Sequence, residues 1–105
     1  MFNPDPTLVT LLQATVSAGA SDLHLTVGRP PTARRDGVLV PFEGVPLLQP
    51  ADAERIVFSV LNDAQRQEFD ENSQVDFSFG IESIGRFRAN AYRQRNSCAL
   101  ALRVI

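Results

Sequence analysis

From Arg86 to Ile105 the chain carries Arg86, Arg88, Arg93, Arg95 and Arg103 and no acidic residue. Arginines gathered in this way address an anion, because the planar guanidinium fork gives a phosphate or carboxylate two parallel hydrogen bonds. The preceding stretch is the reverse: between Asn62 and Glu82, Arg66 alone stands against Asp63, Glu68, Asp70, Glu71, Asp76 and Glu82. A net charge of −2 therefore hides a polarised chain. All ten basic residues are arginine. Without a lysine the chain cannot build a Walker A loop, whose lysine reaches the β- and γ-phosphates, and it cannot form a lysine Schiff base. No catalytic residue is expected in it.

The spacing of the arginines on the last two strands sets what they can hold. With a tight turn at Asn96-Ser97, Asn90 pairs with Arg103, and Arg88 lies diagonally beside Arg103 on the same face, roughly 7–8 Å away. Two guanidinium groups at that separation repel, and a phosphate between them converts repulsion into binding. A slip of one residue would send one arginine to the opposite face. Two other readings stand beside this one. The arginines decorate an exposed sheet and are neutralised by Asp76 or Glu82. Alternatively they contact nucleic acid, against which speak the negative net charge and the single tyrosine, Tyr92.

The remaining chemistry-bearing side chains are sparse. His24 has no second histidine and one distant cysteine, so no metal site is expected, since zinc takes three or four protein ligands. It shares a face with Asp22, but no serine completes a triad; a backbone partner for the imidazole is expected instead. Cys98 reads as a small buried apolar residue. Phe77, Phe79 and Phe87 fit either a packed core or the lining of a small-ligand pocket. Asp63, Glu68, Asp70 and Glu71 fit a solvated helix face or a surface for a neighbouring subunit.

These residues must be positioned by regular elements. Asp5 and Pro6 open a helix whose apolar positions are Leu8, Leu11, Leu12 and Val16, ended by Gly19. Asp22–Val27 alternates as a strand. Thr32–Arg35, the turn pair Asp36-Gly37 and Val38–Val40 make a hairpin. A second helix starts near Pro50 with Ala53, Ile56, Val57, Val60 and Leu61 on one stripe. Asn62 and Gln65 form a capping box for a third, mostly charged helix ending near Asn72. Three alternating strands follow: one with Val75, Phe77 and Phe79 inward, one with Phe87, Ala89 and Ala91, and one with Cys98, Leu100, Leu102 and Val104. Segregated strands and helices predict an α+β fold, an antiparallel sheet with helices packed on one face.

At 105 residues and with 44% apolar residues, the chain is one domain able to bury a core. No apolar run approaches the ~18 residues that would span a bilayer, so no membrane insertion is expected. The first residues lack the basic head and apolar stretch of a signal peptide, and a lone cysteine fits a reducing compartment. The cytoplasm is the expected location. The end at Ile105, on an apolar strand, reads as a cut domain.

Ala20-Ser21-Asp22-Leu23-His24-Leu25, Pro30-Pro31 with Arg34 and Asp36-Gly37, Asp76-Phe77-Ser78-Phe79, and Gly85-Arg86-Phe87-Arg88-Ala89-Asn90-Ala91-Tyr92 through Gln94-Arg95 come in an order and at distances that carry a resemblance. From about Leu8 to Ile105 the chain resembles the N-terminal domain of the PilT-type twitching-motility ATPases, in the secretion-ATPase superfamily. The resemblance implies that residues 1–105 are a single PAS-like domain, with the RecA-like motor domain absent from this chain. It implies a hexameric parent that hydrolyses ATP with Mg at the inner-membrane base of the type IV pilus and drives pilus retraction. The implied partners are the motor domains of its own and neighbouring subunits and, through the hexamer, the inner-membrane platform protein. The isolated domain is expected to hold no cofactor. By the same resemblance Arg88 and Arg103 reach nucleotide held on the motor domain, with Arg95 as a candidate third contact. Family members commonly have glycine where this chain has Asn96, and asparagine also tolerates positive φ. The paralogues PilT and PilU are not separated by these motifs. A reading from another class is a free-standing PAS-like sensor of a small ligand, with its pocket among Phe77, Phe79 and Phe87.

Overall fold

Asp5 starts the first helix by accepting a hydrogen bond from the Thr7 backbone N–H at 2.9 Å, with Pro6 at the first helical position. This helix, α1, spans Pro6–Ser17 and buries Leu8, Leu11, Leu12 and Thr15. The computed structural model describes residues 2–105. Strands β1 (Asp22–Leu25), β2 (Thr32–Arg35) and β3 (Val38–Pro41) follow, then helices α2 (Pro50–Ser59) and α3 (Asp63–Asn72). The chain closes with β4 (Gln74–Ile81), β5 (Gly85–Gln94) and β6 (Ser97–Val104).

Local chemistry explains most of these boundaries. Asn62 and Gln65 cap α3 reciprocally, each side chain accepting the other's backbone N–H at 2.8 and 2.9 Å. The charged face of α3 stays outside while Phe69 anchors it in the core. Asp36-Gly37 turns β2 into β3 with positive φ at both residues, 51° and 79°. Strand β1 is shorter than its alternation predicts. Val27 leaves the sheet to bridge Leu48 in parallel, held by the Gly28 N–H donating to the Leu48 carbonyl at 3.1 Å.

The six strands form one sheet in the order β3-β2-β1-β6-β5-β4, with every neighbouring pair antiparallel. The first and last strands therefore sit side by side in the middle. Leu23, Leu25, Phe77, Phe87, Ala89, Leu100 and Leu102 line one face and join Leu8, Leu12, Ile56, Val57 and Phe69 of the three helices in a single core. Helices cover that face only. This is the expected α+β arrangement.

Phe77, Phe79 and Phe87 are part of this core, with ring centroids 5.9 Å apart for the first pair and 5.7 Å for the second. Rings at those separations are in contact and leave no room for a ligand between them. Cys98 is a free, buried thiol on the same apolar side, and burial pushes its pKa up. Among the described residues no helix is long and apolar enough to cross a membrane.

Candidate functional site

The uncovered sheet face carries Arg86, Arg88 and Arg103, whereas Arg93 turns to the helix side, over the Phe69 ring and 3.5 Å from Asp70. Along β5, Phe87, Ala89 and Ala91 are buried while Arg86 and Arg88 point to solvent; along β6, Leu100 and Leu102 are buried while Arg103 is exposed. Arg88 and Arg103 thus lie on one face, as expected. Their spacing differs from the expectation. The β5–β6 turn is Arg95-Asn96, not Asn96-Ser97, and both residues take positive φ, 53° and 65°. Gln94 then pairs with Ser97, and Arg88 stands directly opposite Arg103 rather than diagonal to it. The difference is a two-residue shift, so it changes the neighbour without changing the face.

The registers of all the strands extend this pair into a row across the sheet: Ser78, Arg88, Arg103, Asp22, Arg34 and Leu39. Directly opposed residues sit roughly 5 Å apart. The row beside it reads Asp76, Asn90, Ala101, His24, Thr32 and Pro41. Asp22 is the buried acid of the face, 8% exposed. Its carboxylate accepts from Ser21 Oγ at 2.6 Å and from Arg103 Nε at 3.4 Å. Burial by itself raises the Asp22 pKa, but the hydrogen bonds from Ser21 and Arg103 and the nearby positive charge outweigh it and hold it below the usual carboxylate value.

Only the Nε edge of Arg103 is used by Asp22. The side chain is 73% exposed and keeps its terminal nitrogens for another partner. Arg88 takes part in none of the ion pairs among the described residues, which are Arg55–Asp5, Arg55–Asp52, Arg93–Asp70 and Arg103–Asp22. Asp76, the acid that might have neutralised it, instead accepts from Asn90 Nδ2 at 2.9 Å. The two arginines are opposed across β5 and β6, and the one carboxylate in contact with either is Asp22, on the β1 side of Arg103. A depression of about 280 Å³, lined by Asp22, His24, Asp76, Arg88, Asn90, Ala101 and Arg103, lies over the pair. The arrangement suits an oxyanion approaching from outside the chain.

Arg95 is not part of this cluster. It sits at the far end of the hairpin, on the order of 20 Å along the strand from Arg88. There it lines a cleft of about 480 Å³ with Arg29, Thr26, Gln94 and Ser97. Asn96 takes the positive φ expected of it.

His24 departs from expectation. Its Nε2 is buried and has no hydrogen-bond partner, backbone or side chain, among the described residues. Among the described residues no cluster of His, Cys, Asp and Glu could hold a metal ion. The contribution of Asp22 to the arginine site was not found from the sequence. Its place on the polar side of β1 was readable, but its contact with Arg103 depends on β1 pairing with β6, residues that are distant in the chain.

No protein-family model matches the chain. It is 36% identical over 98 residues to the type IV pilus retraction ATPase PilT of Pseudomonas aeruginosa, covering 93% of this chain and 28% of that protein. It is 39% identical over 95 residues to the type IV pilus ATPase PilU of the same organism, covering 90% of this chain and 25% of that protein. A crystal structure of the pilus retraction motor PilT with bound ADP superposes with a TM-score of 0.87 at 44% identity, over 93% of this chain and 29% of that one. The chain belongs to the N-terminal domains of the PilT-type secretion ATPases. This PilT-type domain spans roughly a quarter of the length of the relatives it matches. The Legionella pneumophila ATPase DotB shares its fold, with a TM-score of 0.78 at 18% identity over 98% of this chain and 31% of that one.

Proposed function

We propose that this PilT-type domain works within a hexameric pilus retraction motor at the cytoplasmic face of the inner membrane. Arg88 and Arg103 complete an ATP site whose Walker elements and Mg are held by a RecA-like motor domain. The observation that carries this reading is the direct opposition of Arg88 and Arg103 on the uncovered face, with Arg88 outside every ion pair of the described residues. Like charges opposed across two strands destabilise a sheet. An anion supplied by another piece of protein turns that cost into binding, as arginine fingers do on the charge that develops during phosphoryl transfer.

The domain holds part of a site, so its own hold on ATP is weak and it hydrolyses nothing alone. Nucleotide exchange on the motor domain then changes what Arg88 and Arg103 grip, and rotation of one domain against the other becomes the mechanical step. Arg95 lies too far along the hairpin to share a triphosphate with Arg88; it would meet another part of a neighbouring motor domain. The full-length ATPase tests the reading. Arg88→Ala and Arg103→Ala should each lower turnover about a hundredfold or more, with the fold retained by circular dichroism. Turnover within a few-fold of wild type in either variant removes that arginine from the site.

A further inference from the structure

Nothing among the described residues satisfies His24 Nε2. Among the described residues it is the buried side-chain nitrogen or oxygen without a hydrogen-bond partner, and such atoms in native structures are met by an ordered water, an ion or a ligand. Its position says where that partner would come from. His24 lies opposite Ala101 and one row from the Asp22–Arg103 pair, and it forms a wall of the same depression of about 280 Å³ that Arg88 and Arg103 line. On its other side it borders a smaller hollow of about 170 Å³ with Arg29, Thr32 and Arg34. Ala101, directly opposite His24, lines the larger depression.

The groups around His24 define the ligand class. Arg103 and Arg88 approach from β6 and β5, and Arg34 and Thr32 belong to β2. The acids nearby are already engaged, Asp22 by Ser21 and Arg103 and Asp76 by Asn90. What the face lacks is an acceptor. We propose that His24 is a third contact for the anion held by Arg88 and Arg103, its Nε2–H donating a hydrogen bond to an oxygen of a phosphate chain. The inference rests on reading those arginines as phosphate contacts and adds the residue that distinguishes a phosphate chain from a single diffuse anion. Two forks grip charge, while a single N–H donor set one row away requires a second oxygen at a defined distance.

His24 is the single histidine of the chain, so its imidazole gives one signature in a 15N-labelled sample. Sodium triphosphate is titrated into the 105-residue chain, with sodium sulfate at equal ionic strength as the reference. The expected result is that the His24 Nε2 and the Arg88 and Arg103 Nε resonances move together with one midpoint, and that sulfate does not reproduce the imidazole shift. His24→Ala should weaken triphosphate binding roughly tenfold. His24→Gln, which places an amide nitrogen near the Nε2 position, should recover most of it. If His24→Ala fails to fold, the imidazole shift and the His24→Gln variant carry the test. Arginine resonances that move while the imidazole stays silent overturn the inference and leave the arginine reading standing. An equal response to sulfate, or no response to millimolar triphosphate, also overturns it; the arginine reading is then judged separately by the turnover of the Arg88 and Arg103 variants.

Discussion

Asp22 Oδ2 accepts from Arg103 Nε at 3.4 Å, joining two strands that are far apart in the chain and adjacent in the sheet. The contact fixes one edge of the guanidinium and leaves the other edge to solvent. Arg103 is therefore oriented by a contact within the domain, whereas Arg88 is held by its strand alone. The two arginines of the site are not equivalent, and removing them should have opposite effects on the isolated domain.

Arg88→Gln relieves a like-charge opposition and should leave the isolated domain as stable as wild type or more stable, by up to about 0.5 kcal/mol. Arg103→Gln leaves the buried Asp22 carboxylate short of a charged partner and should cost about 1 kcal/mol. Urea denaturation of the two variants checks this. Equal destabilisation by both would mean that Arg88 has a structural partner.

Acid should weaken the domain through Asp22 and Asp5. Burial raises the pKa of each, but the Arg55 contacts and the Thr7 N–H at Asp5, like Ser21 and Arg103 at Asp22, bring the net value below the ordinary 3.8. A carboxylate with a depressed folded-state pKa adds stability that is complete above its unfolded value and is lost as pH falls through the folded one. The stability difference between wild type and Asp22→Asn should therefore be constant near neutrality and shrink below pH 3.8. Thermal melts across that range measure it, and a difference unchanged down to pH 2 would contradict the assignment.

Asp5 has a second duty as the cap of α1. Asp5→Ala removes the hydrogen bond to Thr7 and the contact with Arg55 at 2.8 Å. Arg55 is half exposed, so most of the loss belongs to the cap, about 1 kcal/mol. For a domain of this size that corresponds to a fall in Tm of roughly 4–8 °C. Asp5→Asn keeps a capping oxygen and should recover most of it.

The Arg95-Asn96 turn makes a prediction about register. Asn96→Gly suits φ of 65° and should be neutral or stabilising by a few tenths of a kcal/mol. Asn96→Val forces a β-branched residue into the left-handed region and should cost about 1–2 kcal/mol. Amide exchange at Gln94 and Ser97, the pair that closes the turn, should quicken in the valine variant and not in the glycine one.

Much of this arrangement was legible because it is local. The cap at Asp5, the reciprocal Asn62–Gln65 box, the Asp36-Gly37 turn and the alternation of β4, β5 and β6 each depend on residues within a few positions of one another. The face shared by Arg88 and Arg103 was legible for the same reason, since parity survives a two-residue error in the turn. The direct opposition of the arginines was not, because the choice of turn residues lay between an arginine and a serine beside Asn96. Two arginine-site contacts depend on the long-range pairing of β1 with β6: the tether to Asp22 and the place of His24. No periodicity within either strand announces that pairing, and a backbone partner for His24 was the natural expectation for a histidine on a strand.

The order of the sheet also governs how the protein is made. Strand β6 is the last of the six strands to be synthesised, yet it takes the central place between β1 and β5. Until it emerges, no strand joins β1–β2–β3 to β4–β5, and of the elements that pack on the apolar face of β1 the helix α1 is made before it. Closure comes late and by a long-range step, which makes folding slow for a domain of this size. Apolar surface on both groups of strands therefore stays open to neighbouring chains until β6 locks the halves together.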